Sequence, residues 1–480
     1  MTSNKVEAIS YKDIRVKGYN LQSIIDLKIK TSINEHGTLE LTGILKSGEE
    51  DKDIYLTGEN KTIEVFYYEK DKAMTLFHGV VNHIEVEMEN KVYILKIRAN
   101  SMTYLMDIKK ESRSFQNSST TSHEILKTIM RGYSNSSYIF NIPNKPIKSL
   151  LIQYEETDWE FIKRIASKYN EGILQCSNNE GIQYVIGVSN EGKKINTDII
   201  QYEVFKDLES YYYMKKNYLK NAREEEFITY KIYSYQVLKL GDITPFLGQD
   251  FYVYETTYEI KDSILQNTYN LRVKNGLRQK SIFNTNIIGS SINGKIIGVS
   301  GDKVKVHLEI DSSQSQGGAY SFKYSTMSAS TDGSGWYCMP EIGDSVRVYF
   351  PTKNEGDSFA VSAVSSYDGT SGGGEDRMSS PDNKYLRTAH DKQVKLTPGG
   401  IFISCDSGQA DMSLTNDGTL SIVSQNNVNV NAKESIKIDA QKSFFISAKK
   451  GVTLKCDKNG GLDFDEEGQI KEMGTKVNNN

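Results

Sequence analysis

The sequence predicts a mainly β protein: two β regions with an α/β unit inserted between them, a small barrel of OB type, and a C-terminal run of short repeated strands. Three observations carry this reading. Apolar and polar residues alternate over residues 8–104 and again over 225–283, the period of half-buried strands. Between these regions, residues 121–169 place apolar side chains at helical spacing. The last ninety residues, 391–480, repeat in steps of eight.

In chain order, segments 13–17, 24–29, 38–44, 62–67, 75–84 and 92–97 alternate and are rich in β-branched residues. Six such strands at close spacing predict an antiparallel barrel or sandwich. Glu89-Asn90 reads as its hairpin turn. The pattern changes near residue 105. Thr121-Ser122-His123-Glu124 resembles a capping box, followed by Ile125, Leu126, Ile129 and Met130 on one helical face. A strand at 150–154 leads to a second helix, capped by Thr157-Asp158 and carrying Trp159, Phe161, Ile162, Ile165, Ala166 and Tyr169, with Gly172 as its stop. Strands at 173–176 and 182–186 complete the insertion. Segments 227–233, 251–258 and 269–273 form the second β region, and either one split domain or two similar barrels fits the pattern. Segments 294–299 and 303–308, joined by Ser300-Gly301-Asp302, and the strand 342–350 make an OB-like barrel.

The C-terminal repeat is the most specific signal. Met412/Leu414, Leu420/Ile422, Val428/Val430, Ile436/Ile438, Phe444/Ile446 and Val452/Leu454 are apolar pairs, each beginning eight residues after the one before. An i, i+2 pair puts two side chains on one strand face, and a fixed period means one structural unit laid down repeatedly. Wound alone, six octads make about two coils of a three-sided prism, fewer than the three or so units a stacked repeat needs. Three chains wound round one axis solve this, because each strand pairs with its two partners and the apolar pairs meet on the axis. At ~4.7 Å per step the six octads span roughly 30 Å. This predicts an intertwined trimeric β-helix with those twelve residues as its core. The competing arrangement, an antiparallel meander, needs turn residues. The joints Ser424-Gln425-Asn426-Asn427 and Ala432-Lys433-Glu434-Ser435 contain no Gly or Pro.

Composition narrows the function classes. A chain of 480 residues implies several domains. With 38% hydrophobic and 25% charged residues it suits a globular chain, and a net charge of −4 gives no bulk attraction to nucleic acid or anionic membrane. No signal-peptide core or apolar run of membrane-spanning length occurs, so synthesis and assembly are expected in the cytoplasm. Cys176, Cys338, Cys405 and Cys456 are far apart in sequence and read as reduced, mostly buried residues.

Tyr154 to Ala166 with Gly172-Ile173 resembles the hub helix of VgrG proteins and of phage late-control tail proteins, the spikes of contractile injection machines. Phe77-His78-Gly79-Val80 and Ser112 to Gln116 leading into Glu124-Ile125 resemble the same hub upstream. Gly294 to Leu308, Trp336, Pro340 to Asp344 and Val346 to Phe350 resemble the family's OB domain. The order of modules carries the match. It implies a first hub β-barrel (1–104), an α/β hub insertion (105–222), a second hub β-barrel (223–288), an OB-fold domain (289–366), a linker (367–390) and a triple-stranded β-helix spike (391–480). It also implies a homotrimer whose barrels continue a hexameric tail tube. Further expected partners are baseplate proteins, a conical PAAR-like tip protein, effector cargo, and a target envelope met mechanically after ejection at the particle tip. The octads lack the regular Gly of phage spikes, the needle is short, and the tail 472–480 is either a docking end for the tip protein or a frayed terminus.

Chemistry is weak by comparison. His36, His78, His83, His123, His307 and His390 form no HExxH, His-x-His or Cys/His cluster, so no metal and no cofactor are expected. Glu155, Glu156 and Asp158 read as a capped helix start, stabilised by the helix dipole, rather than a glycosidase dyad. The stretch 365–390 is too short for an inserted hydrolase domain. The OB-like segment 290–366 holds six Lys/Arg against eight Asp/Glu, so Tyr320, Phe322 and Tyr324 read as packing residues, not a nucleic-acid platform. The expected role is a non-enzymatic puncturing spike. A spike-borne peptidoglycan hydrolase and a trimeric tail-fibre adhesin are the alternatives.

Overall fold

The computed structural model describes residues 8–46, 52–69, 72–189, 194–362, 380–388, 390–406, 408–457 and 460–476, which divide into two compact units, Met1–Val364 and Ser365–Asn480. The first unit opens with the expected six strands: β1 (Ile14–Lys17), β2 (Leu21–Ser32), β3 (Thr38–Leu45), β4 (Thr62–Glu69), β5 (Lys72–Glu89) and β6 (Val92–Ser101). A short helix α1 (Lys52–Leu56) separates β3 from β4. The β5–β6 hairpin turns at Asn90-Lys91, one residue later than the expected Glu89-Asn90. Asn90 and Lys91 take φ of 49° and 68°, the pair of positive angles that matches a tight hairpin to strand twist. Gly79 on β5 is sterically required, since a Cβ there would lie 2.2 Å from the Asn100 carbonyl oxygen.

The α/β insertion contains β7 (Lys110–Phe115), α2 (Ser122–Met130), β8 (Ser136–Phe140), β9 (Leu151–Thr157), α3 (Asp158–Ser167), β10 (Ile173–Gln175) and β11 (Ile182–Ile186). Both helices begin with a reciprocal capping box. Thr121 Oγ1 accepts from the Glu124 N–H at 3.3 Å, and Thr157 Oγ1 accepts from the Glu160 N–H at 3.1 Å. Their apolar faces pack together as Ile125, Leu126, Ile129, Met130, Trp159, Phe161, Ile162 and Ile165. The end of α3 differs from expectation: the helix stops at Ser167, and Asn170 (φ 57°), not Gly172, supplies the left-handed residue.

The second β region comprises β12 (Gln201–Lys206), β13 (Ile228–Ser234), β14 (Ile243–Phe246), β15 (Gln249–Lys261) and β16 (Ile264–Arg272), with α4 (Leu208–Asn217) after β12. β12, which precedes residue 223, pairs antiparallel with β13. The two β regions also join. β2 pairs antiparallel with β15, giving one sheet in the order β1-β4-β5-β6-β3-β2-β15-β16-β13-β12, with β14 on β15. Thr31 and Thr256 face each other across this seam, their buried hydroxyls 2.8 Å apart. One core serves both halves, drawing Leu27, Ile29, Leu41 and Ile97 from the first and Ile232, Val253, Tyr269 and Leu271 from the second.

The OB barrel is closed as expected, in the order β17 (Ser291–Ser300), β18 (Lys303–Leu308), β19 (Ser321–Tyr324), β21 (Phe359–Ser362), β20 (Ser345–Tyr349). Phe322 is fully buried in its core, with Tyr320 and Tyr324 packed against it. Leu150 and Ile152, from the α/β insertion, complete that core.

The second unit holds β22 (Lys384–Arg387), β23 (Lys392–Thr397), β24 (Gly400–Cys405), β25 (Ala410–Thr415) and β26 (Leu420–Ser424) in one antiparallel meander. A second holds β27 (Val452–Lys455), β28 (Gly461–Phe464) and β29 (Ile470–Met473). Most of the expected linker 367–390, including Gly372, Gly373 and Gly374, lies outside the described residues, and its last part is already strand β22. All four cysteines are free, but the expectation of burial fails for Cys338 and Cys456, which are exposed.

Candidate functional site

The octads divide by their turn chemistry. Between β25 and β26 the chain turns at Asn416-Asp417-Gly418. Asp417 Oδ1 accepts from the Thr419 N–H at 3.0 Å, and Gly418 takes φ 85°. Between β28 and β29, Asp465 and Gly468 (φ 81°) repeat the device, with Asp465 Oδ1 accepting from Gln469 N–H at 2.9 Å. An Asx turn followed by a left-handed Gly reverses a strand cheaply. Met412, Leu414, Leu420 and Ile422 therefore pair within the chain as Met412–Ile422 and Leu414–Leu420, and Val452 and Leu454 pair with Phe464 and Leu462. Within one chain these six expected core residues lie in meanders.

The meander they build has one apolar face. Leu386, Val394, Ile403, Met412 and Ile422 stand in one row across it, and Leu396, Ile401, Leu414 and Leu420 in the next. Ile401, Ile403, Leu414, Leu420 and Ile422 remain exposed.

Beyond β26 the octad persists unpaired, through joints of which the first three lack Gly and Pro. Bends fall at 425–426, 433–434, 441–442 and 449–450, eight residues apart. Between them lie six-residue segments in neither helix nor strand, and among the described residues no backbone hydrogen bond involves 428–451. Val428, Val430, Ile436, Ile438, Phe444 and Ile446 sit at the predicted places in these segments, each 55–69% exposed. Such a segment leaves two things unfilled: apolar side chains that gain roughly 1.5–3 kcal/mol each on burial, and backbone groups that need partners.

The carboxylates considered for catalysis are otherwise engaged. Glu156 accepts from Arg164 Nε and Nη2, both at 2.9 Å. Asp158 accepts from the Tyr133 hydroxyl at 2.8 Å and from Gln153 at 3.0 Å, and pairs with Arg113. Glu155 takes φ 48° in the strand that precedes the helix. Arg164, 2% exposed, also donates to the Ile152 carbonyl at 2.5 Å and to Glu355 of the OB barrel at 2.6 Å. Burial opposes its charge, but Glu156 and Glu355 outweigh that and hold the guanidinium above its ordinary pKa. This junction was not foreseen from sequence, because Arg164 and Glu355 lie 191 residues apart. Further bonds reinforce it: Asp311 accepts from the Ser114 N–H at 2.7 Å, and Gln116 Nε2 donates to the Val306 carbonyl at 3.1 Å.

Among the described residues no three His, Cys, Asp or Glu side chains gather as a metal site. His36 bonds Thr103 and Asp107 through its two ring nitrogens at 2.8 and 3.1 Å. His78 is buried on β5, its backbone N–H donating to Ser177 at 2.6 Å.

Residues 31–186 match the family model of the phage tail baseplate hub (GPD). That span runs from the end of β2 to the end of β11, through strands of the large sheet and both capped helices. Over that span, about a third of the chain, the protein is similar to the baseplate hub family. Among solved structures, the hub fold is shared with the E. coli c3393 protein. That protein is described as a type VI secretion component structurally similar to the T4 tail proteins gp27 and gp5. The two are 13% identical with a TM-score of 0.53, over 72% of this chain and 98% of that one. A chain of the half-lidded Francisella PdpA–VgrG complex is 10% identical with a TM-score of 0.53, over 85% of this chain and 87% of that one. At these identities the likeness is one of fold. No curated protein matches the chain by sequence.

Proposed function

We propose that this chain is the hub–spike of a contractile injection system, joining tail tube and baseplate to a puncturing needle. The observation that carries the reading is the coupling of a tail-hub fold to an OB barrel and an apolar, unpaired octad segment within one polypeptide. The function is mechanical. The buried Arg164 junction ties the hub helix to the OB barrel, so load on one is carried by the other.

Three copies of the chain supply what the octads lack. Residues 425–451 of each chain would pair with two partners, placing Val428, Val430, Ile436, Ile438, Phe444 and Ile446 on a common axis. The apolar faces of the flanking meanders, with Met412, Leu414, Leu420, Ile422, Val452 and Leu454, would then close as the three sides of a prism above and below. This homotrimer docks on tail tube and baseplate proteins through the hub. A conical tip protein seats on the C-terminal end, and effector cargo travels with the spike. Residues 477–480 of the expected docking tail lie outside the described residues. The site offers no acid pair free for glycoside hydrolysis, since Glu156 and Asp158 are both held by arginines, which disfavours the hydrolase alternative.

The test is location. In particles purified from the producing cells, an antibody against residues 391–480 is expected to label one end of the tail. Label on lateral fibres would instead support an adhesin.

A further inference from the structure

Phe445 departs from the octad pattern. The residue between the two members of each apolar pair is Ser413, Ser421, Asn429, Lys437, Phe445 and Thr453 in turn. Five are polar and one is aromatic. Neighbouring residues on a strand face opposite ways, so with Phe444 and Ile446 turned to the axis, Phe445 points outward. It is 87% exposed, against 58% for Phe444.

The charge around Phe445 also departs from the rest of the chain. Residues 441–456 contain Lys442, Lys449, Lys450 and Lys455 and no Asp or Glu, in a chain of net charge −4. Lys442 stands in the bend before Phe445, and Lys449 and Lys450 in the bend after it. Among the described octad residues Lys437 pairs with Asp439 at 2.7 Å, whereas these four lysines pair with no carboxylate. Beyond them the sign reverses, with Asp457, Asp463, Asp465, Glu466, Glu467 and Glu472.

We propose that this girdle binds the surface of an anionic lipid bilayer, with Phe445 entering the headgroup layer and the lysines meeting lipid phosphates. An outward aromatic ringed by unpaired lysines combines the two contributions that hold a protein at such a surface, apolar insertion and attraction to the negative leaflet. The inference rests on the three-chain reading, which sets three Phe445 rings and nine lysines (Lys442, Lys449 and Lys450 of each chain) around one level of the needle. The girdle would hold the needle against the bilayer it is driven into.

Full-length protein is mixed with phosphatidylcholine vesicles, with and without phosphatidylglycerol, and sedimented, while sedimentation velocity reports the assembly state of each variant. Binding is expected only with phosphatidylglycerol and is expected to weaken at high salt. Lys442→Gln/Lys449→Gln/Lys450→Gln is expected to weaken it at least about tenfold, given roughly fivefold per lysine near a charged surface. Phe445→Ser is expected to weaken it with the same assembly state. Wild-type protein that binds neither vesicle overturns the proposal, as do trimeric variants that bind as wild type, or capture by dextran sulfate without capture by vesicles. A wild-type monomer that binds, and loses binding with Phe445→Ser, would sink the three-chain reading and leave the girdle standing.

Discussion

Arg164 of the hub helix and Glu355 of the OB barrel form a buried ion pair, Nη1 to Oε1 at 2.6 Å, while the other edge of the same guanidinium grips Glu156. One arginine thus pairs with two largely buried carboxylates, from the α/β insertion and from the OB barrel.

Removing it leaves both acids buried and uncompensated. Arg164→Met is expected to destabilise the protein by about 3–5 kcal/mol, the usual cost of breaking a buried pair from one side. Glu355→Gln keeps the shape and an acceptor and is expected to cost less. Denaturant unfolding of the two variants checks the order. A loss under about 1 kcal/mol for Arg164→Met, as for an exposed pair, would contradict the clamp.

Gly79→Ala tests the closeness of β5 and β6. The added methyl would meet the Asn100 carbonyl oxygen at 2.2 Å and the Phe77 ring at 2.6 Å. An overpacking loss of about 1–3 kcal/mol is expected, read as a lower thermal midpoint. An unchanged midpoint would mean that the strands separate freely there.

His78 predicts a pH dependence. Burial holds its imidazole below the ordinary 6.5, against Glu64 and Glu180, which favour the charged form; Lys17 acts with burial. The unfolded chain therefore takes up the proton first as pH falls. Stability is full above pH 6.5 and declines as pH drops from there toward the lower folded value. His78→Gln is expected to flatten the thermal midpoint between pH 7 and 5. A wild-type midpoint already flat over that range would contradict it.

Much of the fold was legible because local chemistry and tertiary structure agree. The capping box at Thr121 and the Thr157-Asp158 cap each needed only a few residues of sequence to read, and both open helices where they predict. The hairpin expected at Glu89-Asn90, formed one residue later, is equally local. β12 was missed because Gln201–Lys206 is exposed along its whole length and shows no buried face to alternate. The Arg164 junction was missed because nothing at residue 164 announces an acid at 355. In the C-terminal octads, turns such as Asp417-Gly418 fold the strands back into meanders within the chain, whereas the joints bending at 425–426, 433–434 and 441–442, which lack Gly and Pro, leave the period of eight unpaired.

Replacing Ile436 and Ile438 by Asp would set six charges on the axis of the proposed trimer. Burying unpaired charge is costly, so light scattering is expected to show loss of the assembled species while the hub, in the other unit, stays folded by circular dichroism. A stable trimer of the double variant would remove those residues from the core.

The most direct measurement is the solution mass of the intact protein at micromolar concentration by sedimentation equilibrium. Three chain masses of 54.2 kDa are expected. A folded particle of one chain mass would contradict the account, because the apolar octads would then stand in water with no partner to cover them.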